Sequence, residues 1–421
     1  MNLITASYAP CFISSLLAAI FLAIGSAHAA ANEMPRLFLL ELKQLVEVKT
    51  RIKSQDAALL PALNKLIREA DRALTGETPS VMQKEPTPPT GDQHDYISIA
   101  PYWWPNPNRP NRLPYIRRDG EVNPERDRTS DKKRLDDMVQ GVKTVSIGYF
   151  LTGREEYAAQ ATKLLRVWFL DPPTKMNPNL RYAQAIPGRT DGRGAGIIET
   201  HNLPEMIDAV SMLNGSKNWD QSNRRALQDW FNTYLMWLLE SSEGRAEAKA
   251  QNNHGSWYDV QVASYALFSG NIELAKKILN EFPTKRISHQ IEPDGRQPDE
   301  LKRTQAWSYS LFNLEALFNA ASIADRLGMD LWNYETADKR AIRKALDWLL
   351  PFAIGERQWS YPQISAWQPE KLAPFLRRAA LQYREISYEN AVRKLSGATP
   401  DQRLNLLYPE PVGVNLPSGK E

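Results

Sequence analysis

Residues 149–153 read YFLTG, and residues 265–270 read YALFSG. Each stretch closes an apolar helical pattern with a glycine, and a second apolar helical pattern follows directly. Glycine is common just past a helix end because it adopts the left-handed conformation without steric cost. Both stretches therefore predict helix–glycine–helix hairpins. Stacked hairpins form a solenoid or a closed α/α toroid, and the absence of a short fixed repeat favours the toroid.

Helical periodicity extends along most of the chain. Apolar residues recur at spacings of three and four, as in Leu135, Met138, Val139, Val142 and Val145. No alternating strand pattern of comparable strength is visible, so the sequence predicts an all-α fold: an (α/α) toroid or incomplete barrel of helical hairpins. The predicted helices cover residues 34–75 (two helices), 135–145, 157–168, 220–244, 256–268, 271–282, 304–327 and 336–350.

The segment 76–125 differs from the rest because it holds ten of the 29 prolines. A segment so rich in proline cannot be helical. It contains Tyr102, Trp103 and Trp104 between prolines, which predicts an aromatic surface on a stiff loop. Long ordered loops often form lids over binding sites. Two interpretations stay open: a lid with a sugar-stacking wall, or rings that plug the end of the helical barrel.

The bulk composition is that of a globular protein with a large core. The chain has 421 residues, of which 42% are hydrophobic and 24% charged, with a formal net charge of +3. Four cations, Lys175, Arg181, Arg189 and Arg193, lie in one Gly- and Pro-containing stretch where a polyanion could dock. No nucleic-acid motif is present, and we expect no nucleic-acid partner.

The N-terminus has the pattern of an export signal. No charged residue precedes Glu33, and an apolar run of residues 12–24 is followed by the small residues of Ala27-His28-Ala29. We predict a signal peptide at 1–29, a single catalytic domain at 30–421, and a periplasmic or secreted protein with no stable membrane insertion after cleavage. The alternative is a retained anchor, although the run is shorter than the ~20 residues of a spanning helix. Cys11 is the only cysteine, so the mature chain has no disulfide.

Residues 251–259 read QNNHGSWYD and precede an apolar helical run. The amide of Asn253 and the imidazole of His254 can both hydrogen-bond an acid group. This pattern predicts a site for carboxylated substrates. The alternative is a polar helix start with one buried histidine.

A second polar patch runs from Arg193 to Glu205 and includes His201 and Asn202. His201 and Glu205 are four residues apart, which would suit a metal pair on one helix face, but Pro204 disturbs that geometry. With no mature cysteine and the other histidines scattered, we expect no metal site. The glycines near Arg193 lack the spacing and the preceding strand of a dinucleotide loop, so we expect no cofactor.

A third patch contains Arg303 and Tyr309. Six residues apart, they would lie about 120° off a common helix face, and they converge only if Arg303 lies in the turn before the helix. A cation beside a phenol stabilises phenolate and lowers the phenol pKa. Such a tyrosine could act as a base, whereas an isolated tyrosine on an aromatic helix is more often a core residue.

Together, four motifs resemble the alginate-lyase-like helical polysaccharide lyases over roughly residues 95–350. They are Tyr102-Trp103-Trp104-Pro105, Arg193…His201-Asn202, Asn252-Asn253-His254 and Arg303…Tyr309. The resemblance implies an α/α toroid that cleaves a uronate polymer by β-elimination. The chain looks closer to the glucuronan-lyase-like branch than to the classical mannuronate-specific enzymes, in which the arginine and tyrosine are one residue further apart.

The resemblance also implies roles for individual residues. Asn253 and His254 would neutralise the substrate carboxylate, Tyr309 would take the C5 proton and return a proton to the leaving O4, and Arg303 would lower the Tyr309 pKa or bind carboxylate. His201 is a reserve candidate for a second base or neutraliser. The predicted substrate-binding residues are Tyr102, Trp103, Trp104, Arg193, Asn202, Trp257 and Trp307.

Two other functions stay open at this point. A glycoside hydrolase on the same toroid needs two carboxylates about 5–10 Å apart, and Asp259, Glu205 and Glu300 are available. A non-catalytic binder of anionic glycans in the periplasm is the other. In each case the partner is an anionic polysaccharide.

Overall fold

The computed structural model describes residues 35–395, 399 and 402–410. The predicted signal peptide at 1–29 lies outside the described residues. Within them, paired helices pack around a common core, and the predicted all-α toroid is confirmed. No helix in the described part of the chain has the length and apolar character needed to cross a membrane.

The helices are numbered here in chain order. They are α1 (Leu42–Lys53), α2 (Leu60–Thr75), α3 (Glu125–Thr129), α4 (Lys132–Thr152), α5 (Glu155–Leu165), α6 (Leu203–Ser211), α7 (Gln221–Glu240), α8 (Ser242–Ala248), α9 (Asn253–Phe268), α10 (Ile272–Phe282), α11 (Ser288–Gln290), α12 (Pro298–Leu301), α13 (Ala306–Asp325), α14 (Ile342–Ala353), α15 (Ala373–Tyr383), α16 (Ile386–Lys394) and α17 (Leu404–Leu407). Four short strands are β1 (Ile97–Ile99), β2 (Trp103–Trp104), β3 (Ile116–Arg117) and β4 (Tyr182–Ala185).

Both predicted hairpins are present. Gly153 separates α4 from α5 with a φ of 75°, and Gly270 precedes α10 with a φ of 87°. At each corner the two flanking helices pack against each other. The left-handed backbone explains the glycine, because an L-side chain at that φ is strained.

Helices α9 and α13 form the centre of the toroid. Apolar side chains are distributed around the whole circumference of both helices, and nearly every side chain of α9 is buried. A helix that is apolar all round is stable only when other elements surround it, and α7, α10 and α13 pack against α9. The N-termini of α9 and α13 therefore lie at fixed positions in a rigid core.

The proline-rich segment crosses one end of the toroid as an ordered loop. It is mostly non-helical, as predicted, but it also holds short strands that the sequence pattern did not indicate. β1 pairs with β4 in parallel, and β2 pairs with β3 in antiparallel register. A fully buried ion pair of 3.2 Å between Lys84 Nζ and Asp131 ties the start of the segment to α4.

Candidate active site

A cleft of about 530 Å³ lies between the proline-rich loop and the N-termini of α9 and α13. It brings together residues from every motif singled out in the sequence. The predicted residues that line it are Tyr102, Trp103, Arg193, His201, Asn253, His254, Arg303 and Tyr309.

Asn253 is held at the first turn of α9 by a buried carboxyl group. Its backbone N–H and its side-chain Nδ2 both donate to Glu300, at 2.8 and 2.6 Å. Burial raises the pKa of Glu300 to about 7, although the two bonds from Asn253 oppose that rise. Asn252 accepts from the backbone N–H of His254 and caps the helix, so its role is structural.

His254 is oriented by a second buried acid. Its Nδ1 lies 2.5 Å from Glu247 Oε1, and the carboxylate of Glu247 is almost fully buried. Because Glu247 takes Nδ1, Nε2 is the ring nitrogen that remains for a ligand. The His254 side chain keeps about a quarter of its surface exposed and lines the cleft.

A buried arginine fixes the loop that precedes α9. Arg286 donates to Asp259 at 2.7 Å and to the carbonyls of Ala248 and Ala250 at 2.9 and 2.6 Å. The cation satisfies carbonyl groups left open where α8 ends. Gly255 packs so closely on this arrangement that a Cβ would stand 2.2 Å from Arg286 Nη1. The Asn253-His254 pair thus rests on a rigid support.

Arg303 and Tyr309 converge as predicted, because Arg303 lies in the turn between α12 and α13. Arg303 Nη2 donates to Tyr309 Oη at 2.7 Å, and the guanidinium carbon lies 3.7 Å from the Tyr309 ring centroid. The guanidinium also donates two hydrogen bonds to the Asp119 carboxylate, of 2.8 and 3.1 Å. A forked contact of this kind fixes both the position and the orientation of the cation.

Arg303 lowers the Tyr309 pKa, as predicted, but the net pKa shift of Tyr309 is upward. Burial, assisted by Tyr102, raises the Tyr309 pKa above its ordinary value, and Arg303 opposes this rise only in part. Arg303 does stabilise the phenolate, but the loss of water around the hydroxyl is the larger effect. Tyr309 therefore holds its proton at neutral pH in this arrangement.

Tyr102 connects the loop to the catalytic tyrosine candidate. Tyr309 Oη donates to Tyr102 Oη at 2.5 Å. The loop is held at the same place by Asp119 and Gly120, which accept bonds from Thr304 and Gln305. Of the two interpretations of the aromatic loop, a wall over the cleft is the one that the positions of Tyr102 and Trp103 support.

His201 lies deeper in the cleft, edge-on to two rings. Its ring centroid is 5.1 Å from those of Trp257 and Phe312. Nδ1 donates to the carbonyl of Ile198 at 2.9 Å, which leaves Nε2 as the basic nitrogen. Burial, with Lys132 nearby, lowers the His201 pKa to about 4, so its imidazole is neutral at neutral pH.

Arg193 is a half-buried cation of the cleft wall. Its Nη2 donates to Gln184 Oε1 at 2.6 Å, while the buried Nε has no partner among the described residues. Burial lowers the Arg193 pKa from its ordinary value. A guanidinium that lines a cleft is suited to bind an anion.

Four predicted substrate-binding residues do not reach the cleft surface. Trp257 and Trp307 are each 1% exposed because they pack inside the helical core, and their indole N–H groups donate to the carbonyls of Phe312 and Gln368. Trp104 is turned aside and donates to the carbonyl of Glu121. A fourth, Asn202, donates to Asp136 rather than to the cleft.

The carboxylates proposed for a hydrolase do not face this cleft either. Asp259 is paired with Arg286, Glu205 with Lys143, and Glu300 holds Asn253. The hydrolase interpretation therefore has no acid pair among its three candidates. In the described ranges, no group of three or more His, Cys, Asp and Glu side chains is arranged to hold a metal ion.

Sequence reasoning missed the positioning acids Asp119 and Glu247, and it considered Glu300 only as a hydrolase carboxylate rather than as the partner of Asn253. Asp119 lies 184 residues from Arg303, and Glu300 lies 47 residues from Asn253, so neither pair shows in local spacing. Glu247 is seven residues before His254 in a different helix. The one available signal was that a cation and an imidazole in a cleft require partners.

Comparisons with known proteins identify relatives of the chain. The family model for alginate lyase matches residues 80–359. The crystal structure of an alginate lyase from Bacteroides ovatus is 42% identical, with a TM-score of 0.86, and the match covers 89% of this chain and 99% of that one. None of the curated proteins compared with the chain matches it significantly.

More distant structures share the fold. Alginate lyase A1-III from Sphingomonas species A1 is 18% identical, with a TM-score of 0.51, over 83% of this chain and 97% of that one. An A1-III variant complexed with a tetrasaccharide is 16% identical, with a TM-score of 0.58, over 92% of this chain and all of that one. The family match and the Bacteroides relative are decisive: the chain belongs to the alginate lyase family and is a polysaccharide lyase.

Proposed function

We propose that the protein is an exported lyase that cleaves an anionic uronate polymer, of alginate or glucuronan type, by β-elimination without a cofactor. One observation carries this proposal. The Tyr309 phenol, the Arg303 guanidinium and the Asn253-His254 pair all line one cleft, and each is held by a buried or ion-paired partner.

The first chemical step is neutralisation of the uronate carboxylate. The C5 proton becomes acidic enough to remove only when the adjacent carboxylate no longer repels the developing negative charge. His254 would donate from Nε2 to that carboxylate, while Glu247 holds Nδ1. Asn253 would add an amide contact. Together they would stabilise the enolate-like intermediate as fixed donors in a desolvated site.

The second step is proton transfer at Tyr309. The phenolate takes the C5 proton, the C5–H electron pair forms the C4=C5 double bond, and the C4–O4 bond breaks. O4 leaves with a proton that Tyr309 can return when both atoms lie on one side of the ring. Before this step the Tyr309 hydroxyl would give its own proton to bulk water, and Arg303 would stabilise the phenolate that remains.

The substrate class follows from the charge of the cleft. Its walls carry Arg117, Arg126, Lys132 and Arg193, which suit a polymer with a carboxylate on each unit. The relatives support the same class, since the Bacteroides structure is described as an alginate lyase. His201 is proposed as a second base beside Tyr309, because its neutral imidazole also faces the cleft.

A polymer screen tests the proposal. The folded protein is incubated with alginate, glucuronan and polygalacturonate, and the ultraviolet absorbance of unsaturated ends is followed, with Tyr309→Phe as the inactive control. A rise on a uronate polymer supports the proposal. New reducing ends without absorbance would indicate hydrolysis, and tight binding without any product would indicate a glycan-binding protein.

Export is part of the proposal and has its own test. The predicted signal at 1–29 leads us to expect the mature chain in the periplasm or medium. Fractionation of expressing cells, with N-terminal sequencing of the product, checks the cleavage after Ala29. Retention of the chain in the membrane fraction would favour the anchor instead.

A further inference from the structure

A second cavity of about 410 Å³ lies on the other side of Phe312 from the catalytic cleft. Phe312 lines both spaces, and the proposed mechanism uses no residue of the second one. The volume is within the range of small-molecule sites, about 300 to 1,000 Å³. Helices α4, α6, α13 and α15 supply most of its wall.

The polar end of this cavity holds an unsatisfied donor. Asn319 is 3% exposed, and its Oδ1 accepts from Arg378 Nη1 at 3.0 Å. Its Nδ2 has no hydrogen-bond partner among the described residues. A buried amide donor without a partner costs about 1–3 kcal/mol, which a ligand acceptor would recover.

Three cations and three acids line the cavity around this donor. The cations are Lys143, Lys371 and Arg378, and the acids are Glu205, Glu315 and Asp208. Lys143 is paired with Glu205, and Asp208 already accepts three backbone N–H bonds from residues 38–40.

The remaining acid, Glu315, is kept protonated. Burial raises the pKa of Glu315, and the adjacent Glu205 raises it further. Burial opposes ionisation of Glu205 as well, but the ammonium of Lys143 outweighs it and lowers the Glu205 pKa. At neutral pH the polar end therefore carries excess positive charge.

The other walls are apolar. They consist of aliphatic, thioether and aromatic side chains that cannot hydrogen-bond the hydroxyl groups of a sugar: Ile147, Met212, Leu311, Phe312 and Phe375. A ligand that fits needs an anionic acceptor group for the cationic, amide-bearing end of the cavity and an apolar body for its walls. We propose that this cavity binds a small organic carboxylate with an apolar body, its acid group accepting from Asn319 Nδ2 beside Arg378.

Titration calorimetry on the full chain tests the site with 4-phenylbutyrate. 4-Phenylbutylamine has the same body and the opposite charge, and glucuronate has the same head on a polar body. We expect saturable binding of 4-phenylbutyrate with a Kd on the order of 1 mM or tighter. The amine should not bind, and glucuronate should bind at least about tenfold more weakly.

Two variants locate the ligand. Asn319→Asp keeps the bond to Arg378 but replaces the free donor with an anionic oxygen, and it should weaken binding at least about tenfold. Lys371→Gln removes an exposed cation at the rim of the cavity. Because Lys371 is not part of the core, this variant should fold normally, and it should weaken binding about threefold. Arg193→Gln, in the other cleft, should leave binding unchanged.

The assignment is overturned if the folded wild type gives no saturable heat with 4-phenylbutyrate, or if the amine or glucuronate binds equally well. It is also overturned if both Lys371→Gln and folded Asn319→Asp keep the wild-type affinity. Loss of binding in Arg193→Gln would overturn it as well. The last result would place the carboxylate in the catalytic cleft.

Discussion

The phenol oxygens of Tyr309 and Tyr102 lie 2.5 Å apart, although 207 residues separate them in the chain. One belongs to the rigid core helix α13 and the other to the proline-rich loop. Arg303 donates to the Tyr309 oxygen from the other side. The two contacts of the Tyr309 hydroxyl therefore have opposite effects: Tyr102 opposes its ionisation and Arg303 favours it.

Tyr309→Phe removes the proposed base while keeping the ring. We expect kcat to fall by about 10²- to 10⁴-fold, the contribution of a positioned acid–base group, with polymer binding retained. Absorbance of unsaturated ends and binding to intact polymer are measured together. Tyr334→Phe, at a tyrosine that packs against the core and does not line the cleft, is the matched control. Near-normal turnover in Tyr309→Phe would remove Tyr309 from the mechanism.

Tyr102→Phe should shift the pH dependence of turnover. After burial, Tyr102 is the largest cause of the raised Tyr309 pKa, so its loss lowers that pKa. A base works when deprotonated, and its rising limb in the pH–rate profile then moves to lower pH, by up to about one unit. A limb that moves upward or stays in place contradicts this assignment.

Arg303→Lys should move the same limb the opposite way. Lysine lacks the planar fork that holds Asp119, and the cation that favours phenolate leaves Tyr309. We expect the limb at higher pH and turnover at neutral pH reduced by about 10- to 100-fold. Arg296→Lys, which alters an exposed pair with Asp294, is the control. Opposite shifts in the Tyr102 and Arg303 variants distinguish pKa control from general damage.

Glu300 should make stability depend on pH. Its pKa is about 7 in the folded protein, against 4.5 as the ordinary value, so the folded state binds the proton more tightly. The contribution of Glu300 to the free energy of unfolding is therefore fully present below about pH 4.5. It is lost as the pH rises through 7, and the loss is at most about 3 kcal/mol. Denaturant unfolding at pH 5 and pH 8 measures the difference.

Glu300→Gln should abolish that contribution, because an amide does not titrate in this range. A general loss of about 1 kcal/mol is expected from the weaker contact with Asn253. Glu273→Gln, whose side chain is 84% exposed, provides the comparison and should keep the wild-type pH dependence. An unchanged slope in Glu300→Gln would refute the assignment.

Arg286→Met should destabilise the fold and the site together. It leaves Asp259 buried without its partner, and the expected cost is about 3–5 kcal/mol. The double variant Arg286→Met with Asp259→Leu should recover part of the stability, because no uncompensated charge remains. Turnover should stay low in both, since the carbonyls before Asn253 lose their donor. Lys285→Met, in an exposed neighbouring pair, should cost less than about 1 kcal/mol.

The helices and the order of the motifs were predictable from sequence because both are local. The predicted helix at 304–327 is observed as Ala306–Asp325, and the one at 271–282 as Ile272–Phe282. Periodicity and terminal glycines carry this information. The convergence of Arg303 with Tyr309 was also predictable, once a turn before the helix was allowed.

The limits of that prediction lie in what surrounds each side chain. Trp257 and Trp307 looked like stacking rings because aromatic residues near polar motifs suit sugar clefts, but α9 and α13 are surrounded on all sides and bury them. The direction of the net Tyr309 pKa shift depends on how much water remains around the hydroxyl, and residue spacing does not encode that. The supporting acids come from distant parts of the chain, where only the tertiary fold brings partners together.

The ion pair between Arg303 and Asp119 has a consequence for the order of events during turnover. The same bonds that fasten the loop also hold the cation against the base candidate. Raising the loop to admit a long polymer would therefore disassemble the base, and lowering it would rebuild the base around the chain. Cleavage and release of the polymer would then exclude one another, so that no glycosidic bond is cleaved while the polymer is free to dissociate.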